Sequence, residues 1–219
     1  VRSGSLVSTL AGLKSRSYCL AFTPDSTGVL AGGWDNTVRL FRVSDGSLLR
    51  SFPGHSNIIT GIAVREDGSG FVSSSYDGTC QIHDLAGGNA PRRCVWDGAR
   101  VDAMAVSQDG TFIAAADRDG RIRIFSDNGT HRFTLTGTPS RVTGLALVQG
   151  NDLLVASSDD GSIAYFSLRQ QSHVRNFSAH AGKVRGLTVT GGGKQIASAG
   201  DDGIIQLMQL PLCVPLSSL

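Results

Sequence analysis

A hairpin signal that recurs at a fixed spacing constrains the fold of this chain more than any other feature. Between Gly70 and Leu85, a short apolar run, an Asp-Gly pair and a second short run follow one another. Aspartate and glycine tolerate the positive φ angles of a tight turn, so this pattern predicts a β-hairpin. Similar dipeptides recur at steps of 41 or 42 residues: Asp35-Asn36, Asp77-Gly78, Asp119-Gly120, Asp160-Gly161 and Asp202-Gly203.

The residues around each turn repeat in the same register. An apolar pair precedes every hairpin, so a first strand is predicted before each one, and a fourth, outer strand is predicted after the first four hairpins. The sequence therefore predicts an all-β protein of five repeated units in one domain, at residues 11–53, 54–97, 98–137, 138–179 and 180–210. The apolar pairs are Leu20/Phe22, Ile62/Val64, Met104/Val106, Leu145/Leu147 and Leu187/Val189.

The two ends of the repeat array complement each other. Residues 5–10 form a lone alternating strand, whereas the fifth unit lacks its fourth strand and ends before Pro211 and Pro215. Proline cannot donate to a strand ladder. Pairing of residues 5–10 with the fifth unit would close a ring and remove its open edge, with residues 211–219 left as a tail.

Composition excludes several classes of partner. The net charge of +2 is too balanced for nucleic acid or an acidic membrane to be the main partner. No run reaches the roughly 18 apolar residues that a membrane-spanning helix needs. The four cysteines form no Cys-x-x-Cys pair, and three lie in predicted strands. They are expected to be free and buried, which favours a reducing, intracellular location, most simply the cytoplasm.

Four-stranded units of this length that open on Gly-His, as at Gly54-His55, and end on Trp-Asp are the signature of WD40 blades. Over residues 5–210 the chain resembles a WD40 β-propeller. The resemblance implies that the blades stack around an axis and that the core lies between them. It also implies a non-catalytic protein that binds other proteins or peptides as part of a multiprotein complex.

The resemblance further implies a hydrogen-bonded set in each blade, made of His, Ser, the turn Asp and a Trp. Histidine stands at the matching place in His55 and His180, and serine at Ser75 and Ser158. Blade two has the fullest set, with His83 in the Trp position. The turn aspartates are Asp35, Asp77, Asp119, Asp160 and Asp202, and the Trp position holds Phe41, His83, Phe125, Phe166 and Met208.

Two narrower expectations follow from the same resemblance. WD40 propellers are usually seven-bladed and the chain begins at Val1 without Met, so a part of a longer propeller is expected, with a five-bladed ring as the alternative. The stretch Gly32–Leu49 resembles a blade of the C-terminal propeller in BEACH-domain trafficking proteins.

Each set of residues that suggests catalysis or ligand binding also has a structural explanation. Ser75, His83 and Asp84 form a candidate nucleophilic set, but their positions in the repeat already give them structural roles. The Gly191–Lys194 run lacks the spacing and helix of a phosphate loop, and Arg92-Arg93 lacks the flanks of a phosphoinositide-binding motif. One member of each pair Asp159-Asp160 and Asp201-Asp202 is a turn residue. The sequence thus predicts no enzyme, cofactor or metal.

Partner binding is predicted on one rim of the propeller. The residue before each turn aspartate is expected to project there: Trp34, Tyr76, Arg118, Asp159 and Asp201. A second row on the first strands is expected nearby: Tyr18, Thr60, Asp102, Thr143 and Arg185. An aromatic and basic sector facing an acidic one suits an extended peptide. Two alternatives remain: Trp34 and Tyr76 only cover neighbouring blades, or the protein is an architectural module that uses its sides and edges.

Overall fold

The computed structural model describes residues 6, 8–95, 100–148, 152–189 and 194–210. Several sequence features lie outside these residues. They are the predicted strand end at Trp96, the glycines of the Gly191–Lys194 run, Cys213, and the proposed stop at Pro211 and Pro215.

The described residues form five antiparallel sheets and no helix, which confirms the predicted all-β fold of repeated blades. Each sheet is called a blade and numbered in chain order. Blade one is β1 (Ser17–Phe22), β2 (Gly28–Gly33), β3 (Thr37–Arg42) and β4 (Leu48–Pro53); blade two is β5 (Ile59–Val64), β6 (Gly70–Ser75), β7 (Thr79–Asp84) and β8 (Arg92–Val95); blade three is β9 (Val101–Val106), β10 (Phe112–Asp117), β11 (Ile122–Ser126) and β12 (His131–Leu135). Blade four is β13 (Val142–Leu147), β14 (Leu153–Ser158), β15 (Ser162–Ser167) and β16 (Ser172–Ser178); blade five is β17 (Val184–Val189), β18 (Gln195–Gly200) and β19 (Ile205–Gln209).

The predicted hairpins all form between the second and third strands of the blades. Their glycines adopt the positive φ angles that the turns require, for example +80° at Gly78 and +88° at Gly161. Asn36 takes the same left-handed conformation in blade one, with φ of 58°. Asparagine tolerates this region better than most side chains, so it replaces glycine there.

The core lies between successive blades, where apolar side chains from facing sheets interlock. Between blades one and two it includes the fully buried Leu30, Ile59 and Phe71. The first strands of neighbouring blades also pack against one another, in the pairs β1/β5, β5/β9, β9/β13 and β13/β17. Each sheet inside the array therefore buries both of its faces on its neighbours, as stacked repeats do.

In the part of the chain that the structure describes, the first and last blades each leave one face uncovered. Among the described residues, no comparable packing joins β17 to β1. Leu20 and Phe22 of β1 are 63% and 64% exposed, and Ile205 and Leu207 of β19 are 74% and 67% exposed. The residues that occupy equivalent positions inside the array, such as Leu145 and Ile163, are buried. We call these two surfaces the end faces.

The predicted ring-closing strand is not formed in the described part of residues 5–10. Residues 6 and 8–10 lie outside any strand, and the described part of blade five has three strands. Ser8 Oγ instead donates to the carbonyl of Val43 in blade one, at 3.0 Å. Leu10 packs on the core of the same blade. Leu10 lies one repeat before Phe52 in the sequence. The two residues have equivalent contacts, because Leu10 packs on blade one and Phe52 packs on blade two.

Candidate protein-interaction site

The two predicted rows of rim residues lie together at one edge of the blades. In four blades, the backbone N–H of the residue before the turn aspartate donates to the carbonyl of a residue just ahead of the first strand. We call this edge the rim. The bonds are Trp34 to Arg16, Tyr76 to Ile58 and Asp159 to Arg141, each 3.0 Å, and Asp201 to Lys183 at 2.9 Å.

A β-bulge positions the second row. In every blade, the pairing of the first strand with the second skips one residue near the rim. A bulge bends the strand and re-aims the side chain of the extra residue, so one residue per blade is set apart from the regular pairing. The skipped residues are those of the predicted second row: Tyr18, Thr60, Asp102, Thr143 and Arg185.

Blade one carries an exposed aromatic pair on the rim. Tyr18 is 60% exposed and Trp34 46%, and their rings stack with centroids 6.4 Å apart and planes at 21°. The guanidinium carbon of Arg16 lies 6.0 Å from the centroid of the Trp34 ring. Arg16, Tyr18 and Trp34 are called the aromatic patch. Because both rings are about half exposed, the patch leaves apolar area open to a partner.

The next rim residues form a network that joins blades two, three and four. The Arg100 guanidinium carbon lies 3.7 Å from the centroid of the Tyr76 ring, and Arg100 Nη2 donates to Asp102 at 3.0 Å. Arg141 donates to both oxygens of Asp102, at 3.0 and 2.8 Å. Burial would lower the pKa of Arg141, but the bonds to Asp102 raise it overall. The Asp102 side chain is 1% exposed and is enclosed by Arg100 and Arg141, so it joins neighbouring blades.

The remaining predicted rim residues differ in whether they form ion pairs or hydrogen bonds with other side chains of the protein. Arg185 and Asp201 form a bidentate ion pair, with contacts of 2.6 and 3.0 Å, and the Arg185 hydrogen bonds lower the pKa of Asp201. Asp159 accepts a hydrogen bond from Ser140. Arg118 is exposed and has no ion pair within the described residues. The acidic sector is therefore largely occupied by contacts within the chain.

Basic residues that stand just before the first strands also lie at the rim, and they were not among the predicted site residues. Arg16, Arg100 and Arg141 contact or approach the rim residues described above. Together with Lys183 they occur at the repeat spacing, and the fifth equivalent is Ile58. This recurrence was the signal from which a basic row along the rim could have been predicted.

The hydrogen-bonded set of blade two forms, with a different serine from the one predicted. Asp77 Oδ2 lies 2.8 Å from His55 Nδ1, and His55 Nε2 lies 2.8 Å from Ser73 Oγ, which is 3.3 Å from His83 Nε2. The imidazole points its second nitrogen away from the turn, so it reaches a serine two residues deeper in β6. The predicted Ser75 instead donates to the carbonyl of Asn57.

Blade five repeats this arrangement with Asp202, His180 and Ser198. Asp202 lies 3.0 Å from His180 Nδ1, and His180 Nε2 lies 2.8 Å from Ser198 Oγ. The prediction for Ser158 in blade four is also wrong, because its buried Oγ has no hydrogen-bond partner within the described residues. Blade four carries Ala156 at the position of Ser73.

The order of carboxylate, imidazole and hydroxyl in these sets is that of a serine hydrolase triad. Ser73 is fully buried, however, and its Oγ also contacts His83. Burial lowers the pKa of His83 to about 4 and also lowers the pKa of His55, so both rings are neutral at physiological pH. The set therefore holds strands together, and the candidate nucleophile Ser75 does not join His83.

In blade three the anchoring carboxylate is Asp117, so the assignment of this role to Asp119 is wrong. The side chain of Asp117 is 0% exposed and that of Asp119 is 72% exposed. Asp117 accepts from Arg121 Nε at 2.8 Å and from the backbone N–H groups of Asp119 and Arg121. A carboxylate at the end of β10 can reach across the turn, which leaves Asp119 in solvent.

Comparison with known proteins agrees with this architecture. The profile of a family described as WD domain, G-beta repeat matches residues 4–42, 46–84, 93–126, 129–167 and 171–207. From the second repeat on, each matched segment contains residues of one outer strand and the first three strands of the next blade. No curated protein matches the chain, and no finding supports the narrower resemblance to BEACH-domain proteins. Since the five segments span most of the chain, it belongs to the WD40 repeat family.

Proposed function

We propose that this protein is a non-catalytic platform that binds another protein or a peptide on its rim, with the aromatic patch as the main contact. WD40 domains generally mediate protein–protein interactions. The observation that carries the proposal is the stacked pair of Tyr18 and Trp34, which is about half exposed although both residues have large apolar rings. Such rings lose contact with water when a partner covers them.

The chemistry of the aromatic patch suits a protein partner. Tryptophan, tyrosine and arginine are the residue types that most often dominate binding energy at interfaces. Arg16 makes no ion pair within the described residues, so its charge is free for a carboxylate of the partner. Tyr76 and the exposed Arg118 extend the surface along blades two and three. An extended segment that lies along the rim would meet these residues in turn.

The proposal places the protein inside the cell, most simply in the cytoplasm. Cys19, Cys80 and Cys94 are free thiols, as a reducing compartment allows. Burial raises the pKa of Cys94 to about 12, so this thiol stays protonated and unreactive. In the part of the chain that the structure describes, no helix is long and apolar enough to cross a bilayer.

Affinity capture from an extract of the source cells tests the rim. The bait is the full chain beside a Tyr18→Ser, Trp34→Ser double variant. The control is Val95→Ser, Val174→Ser, because these side chains are 62% and 52% exposed and lie on outer strands, away from the patch and the end faces. We expect specific partners to be lost from the first variant alone. Partners retained by the first variant would overturn the proposal, provided that circular dichroism shows all three proteins folded.

A second candidate function rests on the end faces. Leu20, Phe22, Ile205 and Leu207 are exposed at positions that face a neighbouring blade elsewhere in the array. A protein that used these faces would be an architectural module of a large assembly, of which a BEACH-type trafficking protein would be one case. In that case, a Leu20→Ser, Leu207→Ser variant would lose its partners in the same capture experiment and the aromatic patch variant would keep them.

A further inference from the structure

A cavity opens between blades one and two, on the surface opposite the rim. It has a volume of about 320 Å³. Three leucines, Leu40, Leu49 and Leu85, form its apolar wall, and the turns after β1 and β5 form its edge. These turns follow the ends of the first strands, whereas Tyr18 lies near the start of β1. Since a strand rises about 3.3 Å per residue, the cavity lies roughly 15 Å from the aromatic patch.

The cavity exists because a short side chain lies between blades one and two at the position where a long side chain fills the space between blades two and three. Arg65 follows β5, and a Cβ atom added to Gly110 would lie 2.8 Å from its Nε, so Arg65 occupies the space between blades two and three. Its equivalent one repeat earlier is Thr23, whose short side chain bonds to Asp25 in its own turn. A Cβ atom on Gly68, the equivalent of Gly110, would meet nothing within 4 Å.

The edge of the cavity is acidic. Asp25, Glu66 and Asp67 line it, and none of the lining residues is lysine or arginine. Hydrogen bonds from Thr23 and Thr27 lower the pKa of Asp25, and those from Ser69 lower the pKa of Asp67. Both carboxylates therefore remain charged at neutral pH. Glu66 is exposed and forms no hydrogen bond or ion pair within the described residues.

We infer that this cavity binds a basic segment of a partner protein, which inserts one apolar side chain between lysine or arginine residues. The leucine wall matches an aliphatic side chain, and the three carboxylates match flanking cations. The same carboxylates would repel a nucleic acid, a phosphorylated segment or an anionic membrane surface. The site is separate from the rim, so the protein would hold two partners, or two parts of one partner, on opposite surfaces.

Fluorescence anisotropy with synthetic peptides tests this inference on the full chain. The probe is a labelled nonapeptide with one leucine between two arginines and two lysines. Two comparison peptides replace the leucine by glycine or the basic residues by glutamate and aspartate. We expect the first peptide to bind with a Kd below about 1 mM, weakening as salt is raised, and the other two to bind at least about tenfold more weakly.

Matched variants locate the binding. Leu49→Ser and Glu66→Lys should each weaken binding of the first peptide by about tenfold or more. Leu48→Ser is the control for the first, because Leu48 and Leu49 are 48% and 45% exposed and Leu48 does not line the cavity. Asp127→Lys is the control for the second, with the same charge change at an exposed turn on the same surface.

Three results would overturn the inference: no binding below 1 mM, equal binding of the peptide that lacks leucine, or equal weakening by the controls and the cavity variants. The Tyr18→Ser, Trp34→Ser variant should bind the peptide as the unchanged protein does. Failure of the rim proposal and failure of this one are therefore separate outcomes.

Discussion

Buried hydroxyl groups in this protein are of two kinds, and the difference determines what their removal does. Ser198 Oγ lies 2.8 Å from His180 Nε2, whereas the buried Ser158 Oγ has no hydrogen-bond partner within the described residues. We expect Ser198→Ala to lower the free energy of unfolding by about 1–2 kcal/mol, because it leaves a buried imidazole nitrogen unpaired. Ser158→Ala should leave it unchanged or raise it by up to about 1 kcal/mol. Denaturant unfolding measures both, and equal losses would show that the His180 set does not stabilise blade five.

The histidine in the Trp position of blade two makes stability depend on pH. His83 stacks on Phe71 with ring centroids 4.6 Å apart, and its pKa falls from 6.5 to about 4 because burial disfavours the charged ring. Between these two values the unfolded chain binds more protons than the folded one. Stability is therefore lost as the pH falls through this window, and His55, whose pKa is also lowered, acts in the same direction.

His83→Phe should reduce that loss, since phenylalanine preserves the stack on Phe71 and does not titrate. We expect the difference in unfolding free energy between pH 7 and pH 4.5 to shrink by about 2 kcal/mol. Denaturant unfolding at the two pH values checks this, with His131→Phe as the control because His131 is exposed. An unchanged difference in the His83 variant would mean that His83 is not the group that titrates.

At the level of a single element, the hairpin turn of blade three is closed by the carboxylate of Asp117, which lies outside the Asp119-Gly120 pair from which the turn was predicted. Asp117 is buried and bonds to Arg121 and two backbone N–H groups, while Asp119 is 72% exposed. We expect Asp117→Ala to cost about 2–4 kcal/mol, because it removes the hydrogen bonds that the buried carboxylate accepts from Arg121 and the two backbone N–H groups. Asp119→Ala should cost less than about 0.5 kcal/mol. Thermal unfolding of the two variants distinguishes them, and a larger cost for Asp119 would restore the role that the sequence predicted for it.

The sequence predicted strands and hairpins well because period-two patterns and Asp-Gly turns are local. The Asp77-Gly78 hairpin needs no distant residue to form. The choice between Ser73 and Ser75 was wrong because both lie on the same side of β6, and only the reach of His55 from the preceding loop selects between them. The pairing of Arg141 with Asp102 was missed for a similar reason, since it joins residues 39 positions apart in neighbouring blades.

On the scale of the whole molecule, each blade is stabilised mainly by its neighbours. A blade inside the array buries apolar side chains on both of its faces, whereas blades one and five each leave one face exposed among the described residues. The same residue position therefore has a different energetic weight according to its place in the array. Leu20, Ile62, Met104, Leu145 and Leu187 occupy one such position, and each is on a first strand.

Serine substitution at two of these positions measures that weight. Leu145 is 8% exposed in the core between blades three and four, and Leu20 is 63% exposed on an end face. Leu145→Ser should lower the free energy of unfolding by about 2–5 kcal/mol, since it removes a buried side chain and leaves a cavity. Leu20→Ser should change it by less than about 0.5 kcal/mol. Denaturant unfolding at several protein concentrations compares the two.

A large cost at Leu20 that is independent of concentration would mean that part of the same chain covers β1 in solution and closes the array. A large cost that grows with concentration would mean that another copy covers it, because only association depends on concentration. A small cost at Leu20 beside a large one at Leu145 would establish that the end face is open in the isolated protein and is free to pack against a partner.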